Sequence, residues 1–152
     1  MANRYKNRNY KSAIQTYNGA NQPILATDIV SNPITVNLGG TITDTGCAIK
    51  RDFDGFDIEY SGLYRISYDA NIAATTAGAV TIGLLINGTL VPETLKTNTV
   101  AAAGAEEVSA ETIRVLNICN AVSDFNVQVV AYSDGTFVGA IDNISANIVK
   151  LA

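Results

Sequence analysis

Apolar and polar residues alternate along much of this chain, with a period of two. Between Ser61 and Ile72, Tyr64, Ile66, Tyr68 and Ala70 fall on one side, and Leu63, Arg65, Ser67 and Asp69 on the other. Successive side chains of extended backbone point to opposite faces, so the pattern predicts a half-buried strand entered through Gly62. Val80, Ile82, Leu84 and Ile86 make the core face of a second strand over residues 79–87, followed by Asn87-Gly88 and a short return through Thr89-Leu90-Val91. Asn-Gly suits a type I′ hairpin, whose two central residues both take positive φ.

The same reading extends in both directions. Residues 22–30 are expected as a strand with Ile24 and Leu25 buried, Asn32-Pro33 as a turn, and residues 34–38 as a short strand broken by Gly39-Gly40. A strand over 41–51 is centred on Cys47-Ala48-Ile49, and Asp54-Gly55 turns the chain so that Phe56, Ile58 and Tyr60 share a face. Residues 73–78 read as a loop of small side chains and 97–105 as a flexible, alanine-rich connection, with 73–79 and 97–107 outermost. Strands follow over 108–116 and 125–132, the second with Phe125, Val127 and Val129 inward, joined by an irregular link over 117–124. After an Asp134-Gly135 turn, residues 144–151 close the chain; Ile148, Val149 and Leu151 are too apolar for a frayed edge, which places this strand inside a sheet. Eight to ten short strands punctuated by turns are the pattern of an all-β sandwich, barrel or jelly roll. No window holds a helical period.

A chain of 152 residues, 47% hydrophobic and 16% charged, is long and apolar enough for one domain with a real core, which excludes general disorder. It contains no histidine. That removes Ser-His-Asp triads, Cys-His dyads and every histidine-containing metal site, and makes an enzyme the least favoured class. Cys47 and Cys119 are far apart and form no CxxC motif, so two buried thiols in a reduced setting are expected. The N-terminus has no apolar run of a secretory signal, and no stretch approaches a membrane span.

Charge is unevenly placed. Arg4, Lys6, Arg8 and Lys11 are all cationic, and no acid precedes Asp28. Residues 1–20 are therefore expected as a basic arm and 21–152 as the folded domain. Within the arm Arg4, Tyr5, Lys6, Arg8, Tyr10 and Lys11 interleave cations with aromatic rings. Such a segment suggests docking on an acidic surface, with a frayed, solvated terminus as the alternative; four cations make a small nucleic-acid footprint, and insertion into a neighbouring protein shell is the expected partner contact.

Two acidic groups are candidates for chemistry. Asp52, Asp54 and Asp57 offer oxygens for calcium but miss the EF-hand spacing, and an Asp-Gly turn explains them as well. Glu106, Glu107 and Glu111 contain enough carboxylates for glycoside hydrolysis, but a solvated loop edge is the simpler account. Asn87-Gly-Thr89 and Asn143-Ile-Ser145 match glycosylation sequons, discounted without a signal peptide. No catalytic residue, metal or cofactor is expected.

Gly62-Leu-Tyr-Arg-Ile-Ser-Tyr68 resembles the Gly-x-Tyr-x-Phe/Ile-Ser-Tyr strand of the C1q and tumour necrosis factor superfamily. Val80 through Gly88 is similar to that superfamily's next strand, which ends in Asn-Gly, and Ser145 through Ala152 to its closing strand. The small Ala/Thr/Gly loops resemble bacterial and phage members most, such as the heads of collagen-like spore-coat glycoproteins. The resemblance spans about residues 22–152. It implies a ten-stranded jelly-roll sandwich forming a tight homotrimer, with Leu63, Arg65, Ser67, Asp69, Asn147, Val149 and Leu151 facing neighbouring subunits. The chain departs from the superfamily in the polar character of that face, in a longer 117–124 link carrying Cys119, and in lacking a collagen-like stretch upstream.

These features lead to the expectation of a non-enzymatic virion protein on the capsid surface: a trimeric decoration or head-fibre protein whose arm anchors it to the major capsid protein or another virion protein. The alternative is a receptor-binding or adhesive head that recognises host surface glycans or proteins. No membrane association is expected.

Overall fold

The computed structural model describes residues 11–52, 54–117 and 125–152. Ten strands build two stacked antiparallel sheets, and three strands of two or three residues pair alongside them. The first sheet runs β11(Ala105–Leu116), β7(Gly62–Thr76), β13(Val138–Lys150), β1(Ser12–Asn18), β4(Gly40–Thr45). The second runs β10(Lys96–Val100), β8(Gly78–Ile86), β12(Phe125–Ser133), β6(Phe56–Ile58), β5(Ile49–Arg51). The short strands are β2(Gln22–Ile24) on β13, β3(Ile34–Thr35) on β12 and β9(Thr89–Leu90) on β8. A single 3₁₀ turn, Pro92–Thr94, is the only helical element among the described residues. The expected all-β jelly-roll sandwich is the observed architecture.

The inward faces fit the alternation. Tyr64, Ile66, Tyr68, Ala70 and Ile72 of β7 are buried, as are Ile144, Ala146 and Ile148 of β13. They pack against Val80, Ile82 and Leu84 of β8 and Val127, Val129 and Ala131 of β12. Tyr68 brings a hydroxyl into this core, where it lies 2.8 Å from the Ile82 carbonyl and 2.7 Å from the Thr94 carbonyl, answering the rule that a buried polar group needs a partner. Burial pushes both the Tyr64 and Tyr68 phenols above the usual tyrosine range. At the open side Glu93 accepts hydrogen bonds from Arg114 (2.7 Å) and Thr112 (3.0 Å), tying the 3₁₀ turn to β11. As expected, β13 lies inside its sheet, between β7 and β1. Asn87 (φ 49) and Gly88 (φ 78) form the predicted hairpin turn.

Several expectations are corrected. Residues 12–18, placed with the arm, form β1 and pair with β13 from Ser12 opposite Lys150 to Asn18 opposite Ile144. Only Ile14 marks its inner face as apolar; Ser12 and Thr16 fill the other inward positions. Residues 73–78 are not a loop: β7 continues through Thr76, and β8 begins at Gly78. Close approach of β13 demands glycine opposite this stretch, because a Cβ on Gly139 would lie 2.2 Å from the Ala73 carbonyl oxygen. The 97–105 connection contains most of β10, which buries Val100, so only a short turn near 101–104 remains outside strands. The strand centred on Cys47 is instead two strands broken at Gly46 (φ 80), a left-handed conformation in which a Cβ would also strike the Lys11 carbonyl. Cys47 consequently points to solvent, while Cys119 lies outside the described residues. Leu25 is exposed as well, because β2 ends at Ile24 and the chain turns away.

Candidate functional site

The antiparallel register brings residues distant in sequence onto the outer face of the first sheet. Ile113, Arg65, Val149 and Ala13 stand side by side on β11, β7, β13 and β1. The next row is Glu111, Ser67, Asn147 and Gln15, and the one after it Ser109, Asp69, Ser145 and Tyr17. Val115 stands opposite Leu63 beyond the first row, where the Leu151 N–H donates to the Leu63 carbonyl at 2.7 Å. All seven residues expected at a subunit interface, Leu63, Arg65, Ser67, Asp69, Asn147, Val149 and Leu151, therefore lie on one continuous surface.

This surface has two characters. At the end nearest Leu151 it is apolar: Ile113 is 55% exposed, Val115 64% and Leu151 45%, beside half-buried Leu63 and Val149. In the middle it is a polar groove of about 370 Å³ lined by the Glu111–Gln15 row and by Ser109, Asp69 and Ser145. Among the described residues, none of these seven polar side chains hydrogen-bonds to another protein group. Beyond the groove the Asn71 amide donates to Asn143 at 2.8 Å. The face offers donors, acceptors and aliphatic surface, but holds no nucleophile–base pair.

Ile113 and Val115 were missed as interface candidates. The signal was present: residues 113–116 are Ile-Arg-Val-Leu, with apolar side chains on both parities.

The other candidates separate. Of the arm residues, Lys11 is exposed at the start of β1, and Arg4, Tyr5, Lys6, Arg8 and Tyr10 lie outside the described residues. Asp52 and Asp57 both accept from the Asn126 side-chain amide, at 3.4 and 3.0 Å, so that their oxygens hold β12 beside β6. Among the described residues no group of three His, Cys, Asp or Glu side chains is arranged to hold a metal. Glu106, Glu107 and Glu111 are on β11 rather than a loop, with Glu106 on the parity opposite to the other two. Asn87 is occupied in its turn, its side-chain oxygen accepting from the Asn126 N–H at 2.8 Å.

No family model and no curated protein matches the sequence. Solved structures match the fold. The globular domain of zebrafish complement 1qA superposes with a TM-score of 0.61 at 10% identity, covering 90% of this chain and 95% of that one. Murine APRIL gives 0.59 at 10% identity, over 93% and 99%. The PRD1 vertex protein P5 gives 0.56 at 12% identity, over 95% and 100%. The chain has the C1q/TNF-like jelly-roll fold. In this jelly roll the apolar-and-polar face lies on the sheet built from β7, β13 and β1, facing away from the core.

Proposed function

We propose that this protein is a non-enzymatic structural head of a virion, a homotrimer assembled through the outer face of the first sheet and anchored by its basic arm. The observation that carries the reading is the aliphatic end of that face, where Ile113, Val115 and Leu151 are about half exposed or more beside Leu63 and Val149. Leaving such a group in water costs roughly 25 cal/mol per Å², and a contiguous apolar patch on a sheet whose other side is core marks a contact surface. A closed symmetric oligomer covers it with copies of itself. A virion setting draws support from the likeness to the PRD1 vertex protein P5, and the anchoring role from the cations of the arm.

Light scattering on the full chain should give three times 16.0 kDa, about 48 kDa. Replacing Val115 by Arg should return the mass to that of one subunit without unfolding it, and a monomeric wild type would end the reading. Removing residues 1–10, and no more because β1 starts at Ser12, should keep the oligomer but abolish copurification with assembled capsids.

A second reading, a head that binds a host surface, draws on a different place. β1 and then β2 run along β13 away from the C-terminus, so residues 25–32 lie at the far end of the molecule from Lys11. There Leu25, Ile29 and Val30 are 52%, 40% and 56% exposed on a turn held by the Asp28 carboxylate and the Leu25 N–H at 2.7 Å. Binding of the isolated protein to host cells or to a glycan array, lost on replacing these three residues by Ser, would favour this reading over decoration.

A further inference from the structure

Lys150 is only 5% exposed. It stands on the inward side of β13, in a row with Ser12 of β1 and Tyr64 of β7, both buried. Its side chain runs over Gly62, where a Cβ would lie 2.8 Å from Lys150 Cε, 3.1 Å from Nζ and 2.4 Å from the Ala152 main-chain oxygen. Glycine at this position leaves room for both. Among the described residues Lys150 makes no ion pair and no hydrogen bond. The polar groups around it are engaged with other partners. The Ser12 hydroxyl donates to the Thr45 carbonyl at 2.9 Å, and the Tyr64 hydroxyl to the Tyr60 carbonyl at 2.6 Å. The Ala152 oxygen accepts from the Leu63 N–H at 2.8 Å. Arg114, opposite Tyr64 on β11, is held by Glu93 at 2.7 Å. A buried charge without a counter-charge is unfavourable, and an apolar side chain of similar size would serve the fold as well or better.

This cation sits at the end of the sandwich from which the arm departs. Ser12 is opposite Lys150, and Lys11 and the cations Arg4, Lys6 and Arg8 precede Ser12 in the chain. We infer that Lys150 receives one carboxylate from the acidic protein surface on which the arm docks. The inference deepens the anchoring reading and rests on it. The arm's cations draw the two surfaces together through a long-range field. An acidic side chain of the partner then enters beside Gly62 and pairs with the Lys150 ammonium, where little water competes. Because Arg114 is already held by Glu93, one positive charge is left on this row, which matches one carboxylate. Exposed ion pairs contribute little each, whereas taking one member from a buried pair weakens binding strongly. The arm therefore supplies attraction and Lys150 supplies position.

Anisotropy titrations of the full chain with a labelled oligoglutamate peptide test this. Wild type should bind it, and Lys150→Met should weaken binding at least about tenfold while leaving the urea midpoint unchanged or higher. Lys150→Gln should weaken binding likewise, and carries the test if the Met variant does not fold. Lys96→Met removes an exposed cation of β10 and should change binding less than about threefold. If Lys96→Met weakened binding as much as Lys150→Met, only net charge would count and the inference would fall. It would fall too if Lys150→Met bound as wild type does, or lowered the urea midpoint, since the ammonium would then be answered within the chain. An equal loss of affinity for a single-stranded oligonucleotide would assign the site to phosphate and overturn the carboxylate. Copurification with assembled capsids separates this inference from the reading beneath it. Copurification that survives removal of residues 1–10 would sink the anchoring itself. Copurification lost with the arm but kept in Lys150→Met would sink the role of Lys150 alone.

Discussion

The two faces of β7 share one backbone and follow different rules. Inward, Tyr64, Ile66, Tyr68, Ala70 and Ile72 are all buried, and the Tyr68 hydroxyl is satisfied by the carbonyls of Ile82 and Thr94. Outward, Leu63, Arg65, Ser67 and Asp69 are half-buried or exposed, and their neighbours across β11 and β13 form an apolar end and a polar groove. The inner face is complete within one chain. The outer face leaves aliphatic surface in water and, among the described residues, polar groups that bond to no other protein group. Residues one position apart on a strand can therefore belong to core and to surface, with a period of two keeping them apart.

The largest expected effect separates the faces directly. Ile66→Ala should lower the unfolding free energy by about 2–5 kcal/mol in urea titrations, because a buried side chain leaves a cavity. Val115→Ala, on the outward parity of the partner strand, should change single-subunit stability by less than about 0.5 kcal/mol. Equal losses would erase the distinction between the faces. A smaller effect probes the polar group inside the core. Tyr68→Phe should cost about 1–2 kcal/mol, since two buried carbonyls lose the hydroxyl between them, and an unchanged titration would mean that water replaces it.

The smallest effect lies away from both faces. The Asp134 carboxyl is held well below the usual carboxylate range by the Thr136 backbone N–H first, then the Thr136 hydroxyl and the Phe137 and Ala79 N–H groups. A carboxyl depressed in the folded state contributes stability above its unfolded pKa and loses it as pH falls through the folded value. Asp134→Asn should therefore flatten the fall in Tm below about pH 4 and leave oligomer mass unchanged. An unchanged fall in Tm would show that the hydrogen bonds of this turn do not hold the Asp134 carboxyl down.

How far the fold was legible depended on where the apolar residues sat. β7, β8, β12 and the core half of β13 were readable because Tyr, Ile, Val and Leu recur there at every second position. β1 was not, because only Ile14 marks its inner face, and its other inward residues are Ser12 and Thr16. The stretch 73–78 looked like a loop because its residues are small, yet its backbone continues β7, with Ala73 opposite Ala140 and Ala74 opposite Gly139 on β13. Cys47 looked buried beside Ala48 and Ile49, and the positive φ at Gly46 turned it out. Of the candidate face, the positions on β7 and β13 were readable from the family resemblance and Ile113 and Val115 carried an apolar signal, while Gln15, Tyr17 and Glu111 became members only through register.

By itself the sequence determined the class of architecture, since alternation, Asn-Gly and Asp-Gly turns and the missing helical period leave little except a β sandwich. It also set the chemical inventory, because a chain without histidine cannot build histidine-based catalysis. Only the tertiary structure decided which strands are neighbours. Alternation assigns a residue to one of two sides of its own strand, but hydrogen-bond register between strands distant in sequence decides which side chains stand together. That register gathered Leu63, Ile113, Val115, Val149 and Leu151 into one apolar end and brought Asp69 beside Glu107 and Glu111.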